Sequence, residues 1–275
     1  MMPLTGKTAI VTGASAPRGI GRATAVRLAQ QGATVVVTDL AGVLTIEGTA
    51  QDRSDLLAAT VAQIKTGGGA ALAMTLDVTS PSDIQACITA TIKAFGRVDI
   101  LVNNAGSLAG SADFLTTTPD QWQDSFQVNM LGPMMLCQAV IPEMRKQGGG
   151  RIINIGSTGS LGAEPGFGAY TAMKHGLVGL TKTLAAEFGV EGILCNTVCP
   201  GYIATGMHLA ANQRLSGENG VTVEEIQAQR YANVALRRAG LPGDVADAVA
   251  YLAGPDAAYV TGINLPVTGG VPFGI

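Results

Sequence analysis

Tyr170 and Lys174 stand four residues apart in Tyr170-Thr171-Ala172-Met173-Lys174, and Ser157 lies thirteen residues before the tyrosine. A phenol, an ammonium and a hydroxyl can form one proton-handling site. Four residues is about one helical turn, so the tyrosine and the lysine would share a helix face. A neighbouring ammonium favours the phenolate and lowers the tyrosine pKa toward working pH. The serine hydroxyl could hold a substrate oxygen beside the phenol. Tyr-x-x-x-Lys alone is a weak signal, because a solvated lysine near a half-buried tyrosine has the same spacing. The case rests on what surrounds it.

A second constellation lies near the N-terminus. An apolar run leads into Thr12-Gly13-Ala14-Ser15-Ala16-Pro17-Arg18-Gly19-Ile20-Gly21, where a helical pattern begins. Glycines allow a tight turn and close approach of the backbone to a ligand. The N–H groups and dipole of the helix start suit a phosphate. Asp39 ends the next apolar run, eighteen residues past Gly21. A carboxylate there can accept hydrogen bonds from both ribose hydroxyls of NAD and would repel the extra phosphate of NADP. Arg18 argues the other way, since it could reach a 2′-phosphate. Asp39 weighs more, because it would lie against the ribose itself, and NAD is the expected cofactor.

Positioning these residues requires a regular frame. Strands are expected at 8–12, 33–38, 70–77, 98–103, 151–155, 193–198 and 262–267. Helices are expected at 19–31, 54–66, 81–95, 169–188 and 244–252. Ser80 reads as a cap before Pro81, and Thr118-Pro119-Asp120-Gln121 has the form of a capping box. The long helix it starts should run to about 146, with a kink at Pro133. Such alternation implies parallel strands with right-handed crossovers, hence one doubly wound α/β domain over residues 1–275. Two segments read as irregular: 40–53, and an excursion over 202–239 that suits a substrate lid.

Composition narrows the alternatives. Apolar residues make up 47% and charged residues 13%, as suits a sheet covered on both faces. A net charge of −3 gives no reason to expect nucleic acid or an anionic membrane as partner. No leader and no spanning apolar run are seen, so the expected location is cytoplasmic. Cys195 and Cys199 read as core, and two histidines, His175 and His208, give a metal site little to draw on. No metal is expected.

Taken together, these residues resemble the short-chain dehydrogenase/reductase family over nearly the whole chain. The family's TGxxxGxG motif is matched at Thr12, Gly13, Gly19 and Gly21, with two extra residues between the first two glycines. Asn103-Asn104-Ala105-Gly106 matches the family's NNAG segment, which supports the sheet and lines the adenosine side. Asp77-Val78 matches the adenine-contacting pair. Pro200-Gly201, with Ile203 and Thr205, resembles the segment that binds the nicotinamide carboxamide. Ser15, Arg18, Ile20 and Leu40 complete the expected cofactor contacts. Asn129, Ser157, Tyr170 and Lys174 fall at the spacing of the family's tetrad.

The resemblance implies a Rossmann-like fold and hydride transfer between NAD and a carbonyl or secondary alcohol carbon. Tyr170 would be acid or base, and Lys174 would lower its pKa and bind the nicotinamide ribose. Ser157 would hold the substrate oxygen, and Asn129 would hold a water leading to Lys174. Asn129 could equally be a mid-helix polar residue satisfying the kink. Leu161, Ala163, Pro165, Phe167, Tyr202, Met207 and Leu209 are candidate pocket residues. They are mostly apolar, so an uncharged and fairly hydrophobic substrate is expected, and the charges of 213–230 read as a solvated lid face. The family is commonly tetrameric, and Met130, Leu131, Met134, Met135, Leu136 and Val140 make one helix apolar nearly all round. The rivals are a nucleotide-sugar epimerase or dehydratase, an NADP-linked ketoacyl or carbonyl reductase, and an NAD-binding sensor without turnover.

Overall fold

The apolar run Thr8–Thr12 forms strand β1 with all five residues buried, because layers of helix cover both faces of the sheet. The computed structural model describes residues 2–46 and 48–272. Chain order continues with α1 (Ile20–Gln30), β2 (Thr34–Asp39), β3 (Val43–Ile46), β4 (Thr49–Asp52), α2 (Arg53–Thr66) and β5 (Ala70–Thr75). Next come α3 (Pro81–Phe95), β6 (Ile100–Asn103), α4 (Pro119–Phe126), α5 (Gly132–Lys146), β7 (Gly150–Ile155) and α6 (Gly168–Phe188). The chain finishes with β8 (Ile193–Pro200), α7 (Gly206–Asn219), α8 (Val223–Ala232), α9 (Pro242–Ala253) and β9 (Asn264–Val267).

Seven strands form one parallel sheet in the order β5-β2-β1-β6-β7-β8-β9. Strand alternation divides the core in two. Ala9, Val11, Val35, Val37 and Ile153 face one apolar layer, with Leu28 of α1 and Val249 of α9. Ile10, Val36, Leu101 and Ile152 face the other, with Ile88 of α3 and Val140 of α5. Each large side chain buried this way contributes about 1.5–3 kcal/mol. The doubly wound architecture is therefore as the sequence implies.

The expected helix starts hold. Ser80 accepts from the Asp83 N–H, and Thr118 and Gln121 cap each other reciprocally. Three expectations need correction. Segment 40–53 is not irregular: β3 and β4 pair antiparallel as a hairpin, with Val43 opposite Asp52. The excursion after β8 holds two helices, α7 and α8, each capped by a threonine, Thr205 and Thr222. The long helix runs on to Lys146 as expected, but its irregularity is a wide π turn at Gln127–Leu131, just before Pro133 rather than at it. A proline ring clashes with the carbonyl four residues back, here that of Asn129, and the wide turn relieves the clash.

Candidate active site

Because the strands are parallel, the loops after β1, β2, β6, β7 and β8 all leave from one edge of the sheet. Register places Thr12 beside Thr38, Asn103 beside Asn154 and Ile155 beside Val198. Gly13, Asp39, Asn104, Ser157 and Gly201 are thereby gathered from distant parts of the chain. Strand order reverses between β1 and β6, and such a switch point opens a ligand crevice.

Buried hydrogen bonds lock α6 onto the sheet. Asn103 Nδ2 donates to Asn154 Oδ1 at 2.8 Å, and Asn154 Nδ2 donates to Thr181 Oγ1 at 2.9 Å. Thr197 Oγ1 lies 2.8 Å from Thr181 Oγ1. Thr181 is seven residues, two turns, beyond Lys174, so this chain sets the rotation of the helix that carries Tyr170 and Lys174.

Lys174 is buried at 4% exposure, and its Nζ donates to the Ile155 carbonyl at 2.8 Å. Burial pulls its pKa down to about 8. Nζ lies 5.5 Å from the Tyr170 ring centroid. The expected depression of the Tyr170 pKa is not the balance in this structure. Burial pushes the phenol up, and an interaction with the Ser157 side chain only partly offsets it. That contact does unite Ser157 with Tyr170. Ser157 Oγ also accepts from the Gly159 N–H at 3.1 Å, which orients the hydroxyl.

Asn129 is fully buried in the π turn. Its Nδ2 donates to Ser107 O, Ser125 O and Ser125 Oγ at 2.9–3.2 Å, and its Oδ1 accepts from Ser107 N at 3.1 Å. A Cβ on Gly106 would stand 3.2 Å from Asn129 Oδ1 and 3.9 Å from Lys174 Nζ, so the three groups adjoin. Asn129 thus ties the loop after β6 to the wide turn, the kink-satisfying role, and does so beside Lys174.

At the other end, Gly13 adopts φ +66°. A Cβ on Gly21 would meet the Gly13 carbonyl at 2.3 Å and Asn104 Nδ2 at 2.5 Å, so glycine is required there. The two extra residues are absorbed in a turn closed by Gly19 N to Ala16 O, with Pro17 and Arg18 exposed. Gly19 caps α1 without any side-chain hydrogen bond, leaving the first turn, with Ile20 and Gly21, to a phosphate. Thr12 Oγ1 accepts from the N–H groups of Asn104 and Ala105, and Asn104 Nδ2 donates to the carbonyls of Thr12 and Gly13. Asn104 is a brace between the two loops.

Asp39 is buried and already bonded, to Ser15, Leu40 N and Arg53. Asp77 accepts from Thr79, while Val78 packs into the second core layer beneath Gly132. Near the far end, Gly201 N donates to Val267 O, Ile203 is buried, and Thr205 Oγ1 caps α7 by accepting from His208 N. Pro200 is buried as the last residue of β8.

The candidate pocket differs most from expectation. Phe167 is buried under the Arg214 guanidinium, which lies 4.8 Å from its ring centroid. Arg230 sits 4.3 Å over the Tyr202 ring, donates to Asn212 Oδ1 at 2.6 Å, and pairs with Glu164 at 3.0 Å. Its side chain is 12% exposed, so this part of the 213–230 stretch turns inward rather than solvating a lid face. The rings of Tyr202, His208 and Tyr231 form a cluster with centroids 5.6–6.2 Å apart, and His208 Nε2 contacts the Tyr231 hydroxyl at 2.9 Å. Burial first, then the Arg230 charge, pulls the His208 pKa down to about 4. Leu161 is half-buried, while Ala163, Pro165, Met207 and Leu209 are exposed.

Thr181, Arg53 and Arg230 were not singled out from the sequence, since long-range pairing alone reveals them. Cys199 is buried as expected, and its thiol lies under Gly156, a Cβ there being 3.2 Å from its Sγ, where it feels the Lys174 charge. The four cysteines are free thiols. Among the described residues no helix is long and apolar enough to cross a membrane, and no group of three or more His, Cys, Asp or Glu could hold a metal ion.

Comparison with known proteins agrees with this frame. The family profile described as Enoyl-(Acyl carrier protein) reductase matches residues 13–272. The 3-oxoacyl-(acyl-carrier-protein) reductase of Vibrio cholerae is 40% identical over 98% of this chain and 99% of its own length. An actinorhodin polyketide ketoreductase solved with NADPH superposes with TM-score 0.87 at 36% identity, covering 96% of this chain and 97% of that one. An NAD+-bound xylitol dehydrogenase superposes with TM-score 0.87 at 28% identity, covering 97% of this chain and 99% of that one. With the glycine turn, the switch-point crevice and the serine–tyrosine contact in place, the chain belongs to the short-chain dehydrogenase/reductase family, whose members are oxidoreductases that use a nicotinamide cofactor.

Proposed function

We propose that this protein interconverts a ketone and a secondary alcohol with NAD(H), with Tyr170 as the proton donor and acceptor. The observation that carries this is the approach of the Ser157 hydroxyl to Tyr170, both within 4 Å of a Cβ placed on Gly159, with Lys174 buried one turn further along α6. A substrate oxygen between the two hydroxyls would receive hydrogen bonds from both, which fixes it and stabilises developing negative charge. The nicotinamide supplies or accepts the hydride at the carbon. Tyr170 gives the oxygen a proton in reduction and takes it back in oxidation. With burial raising its pKa, the phenol is protonated at neutral pH, the state needed to reduce a carbonyl. Lys174, held by Ile155, stands next to the phenol as the source of a replacement proton.

The residues present fit a dinucleotide: an uncapped helix start follows the glycine turn, and Asp39 stands beside Ser15 at the end of β2. A carboxylate at that place favours NAD over NADP. Among the candidate substrate residues, Tyr202 is packed with the polar Arg230 and His208, both joined to Asn212, and Leu161 is apolar and half-buried. We take the substrate to be an uncharged ketone or alcohol carrying hydrogen-bonding groups on its far side. A second reading, reduction of an acyl ketone with NADPH, is favoured by the Vibrio relative and by the Arg53 pairing with Asp39. The half-buried Met130, Met134 and Met135 support a homotetramer, which sedimentation tests. Free thiols suit a cytoplasmic location.

The test follows reduced-nicotinamide absorbance with NADH and NADPH against a panel of ketones and secondary alcohols, for the wild type and Tyr170→Phe. Turnover by the wild type and its loss in the variant are expected. Near-normal turnover by Tyr170→Phe would remove the assigned role.

A further inference from the structure

We infer that Arg53 selects the cofactor: it competes with the adenosine ribose for Asp39 and presents its guanidinium to a 2′-phosphate, which narrows the preference for NAD. The inference rests on the dinucleotide reading above. An ionised carboxylate has about four acceptor positions. On Asp39 four donors occupy them. Oδ2 accepts from Ser15 N at 3.0 Å and Ser15 Oγ at 2.6 Å. Oδ1 accepts from Leu40 N at 2.9 Å and Arg53 Nη1 at 2.8 Å.

Two of these donors are main-chain amides, and neighbouring bonds hold them. Ala14 N donates to Thr38 O, and Leu76 N donates to Asp39 O. A ribose hydroxyl that donates to Asp39 must therefore displace the Ser15 hydroxyl or Arg53. Arg53 is the long, pivoting group, 21% exposed where Asp39 is 9%. Its fork contacts Asp39 through one nitrogen, and a guanidinium matches phosphate oxygens better than a point charge does. By neutralising Asp39 it also weakens the repulsion that would exclude NADP.

The hairpin explains how Arg53 comes to be there. Thirteen residues separate it from Asp39, and β3 and β4 return the chain so that α2 begins above the end of β2. Arg53 N donates to Gly42 O at 2.9 Å across the base of the hairpin, and Asp52 caps α2 by accepting from Ser54 N at 2.7 Å. Segment 40–53 thus acquires a purpose: it carries the arginine to the ribose end.

Calorimetric titration of the full chain tests this, with NADH, NADPH, adenosine 5′-monophosphate and adenosine 2′,5′-bisphosphate as ligands. The last two have no nicotinamide, so they report on the adenosine end alone. In Arg53→Gln, affinity for NADPH and the bisphosphate should fall about tenfold or more, the scale of one charge-assisted hydrogen bond. Affinity for NADH should hold or rise, and Arg53→Lys should lie between the two proteins. If affinity falls equally for ligands with and without the 2′-phosphate, Arg53 is a strut for the hairpin and the inference is overturned. An unchanged ratio overturns it as well. If none of the four ligands binds the wild type, the dinucleotide reading fails and carries this one with it. Arg18→Ala is the control: a ratio that moves there but not in Arg53→Gln would transfer the selection to the glycine loop.

Discussion

Lys174→Met should change how stability depends on pH, by an amount that follows from burial. The folded state holds the lysine pKa at about 8, against an ordinary 10.5. The depression of about 2.5 units corresponds to about 3 kcal/mol of disfavour for the charged form. Because the unfolded chain binds the proton more tightly, that cost is fully present below pH 8. It is relieved as pH rises from 8 toward 10.5, so the wild type gains stability over this window. Between pH 7 and about 9.5 the gain is about 2 kcal/mol relative to the methionine variant. Losing the bond to Ile155 O shifts the variant by an offset, but the slope against pH belongs to the titrating amine. Guanidinium unfolding of both proteins at the two pH values, without cofactor and at one protomer concentration, measures the difference. A gap between the proteins that stays constant within about 0.5 kcal/mol, the scale of the extrapolation error, would refute the reasoning. It would mean that Lys174 enters the fold with an ordinary affinity for its proton.

Tyr170→Phe should lower kcat by about 10²–10⁴ while titration shows NADH binding unchanged. Gly21→Ala should lower dinucleotide affinity at least about tenfold and lower Tm, because the new methyl group would meet the Gly13 carbonyl at 2.3 Å. Asn129→Leu removes the bonds that join Ser107 to Ser125, and should cost about 3 kcal/mol in denaturant unfolding. Burial tends to raise the Asp99 pKa, but hydrogen bonds from Arg97, Thr8 N and Lys7 outweigh it and hold the carboxyl below its ordinary value. Its stabilisation is present above the usual carboxylate range and is lost as pH falls through the folded pKa. Acid unfolding of Asp99→Asn should therefore show a shallower fall in stability than the wild type.

The sequence by itself determined the frame and the principal residues. Strands buried on both faces announce themselves as continuous apolar runs, and Ser80 and Thr118 mark helix starts through local chemistry. Short-range spacing also placed Ser157, Tyr170 and Lys174 together, because a helical turn and a strand-to-helix loop are local geometries. The tertiary structure decided what depends on distant partners. It set the Tyr170 pKa balance, since burial of the phenol depends on what packs over it, and it fixed the Lys174 amine on the Ile155 carbonyl nineteen residues away. It turned Arg230 inward onto Tyr202 and Glu164, where polarity alone placed it in solvent. It also brought Arg53 back to Asp39, because the weak local pattern of 40–53 becomes a hairpin only once α2 packs beside β2. Hydrophobic periodicity reports which face is buried, but not which polar group a buried charge will meet, and that pairing depends on distant parts of the chain here.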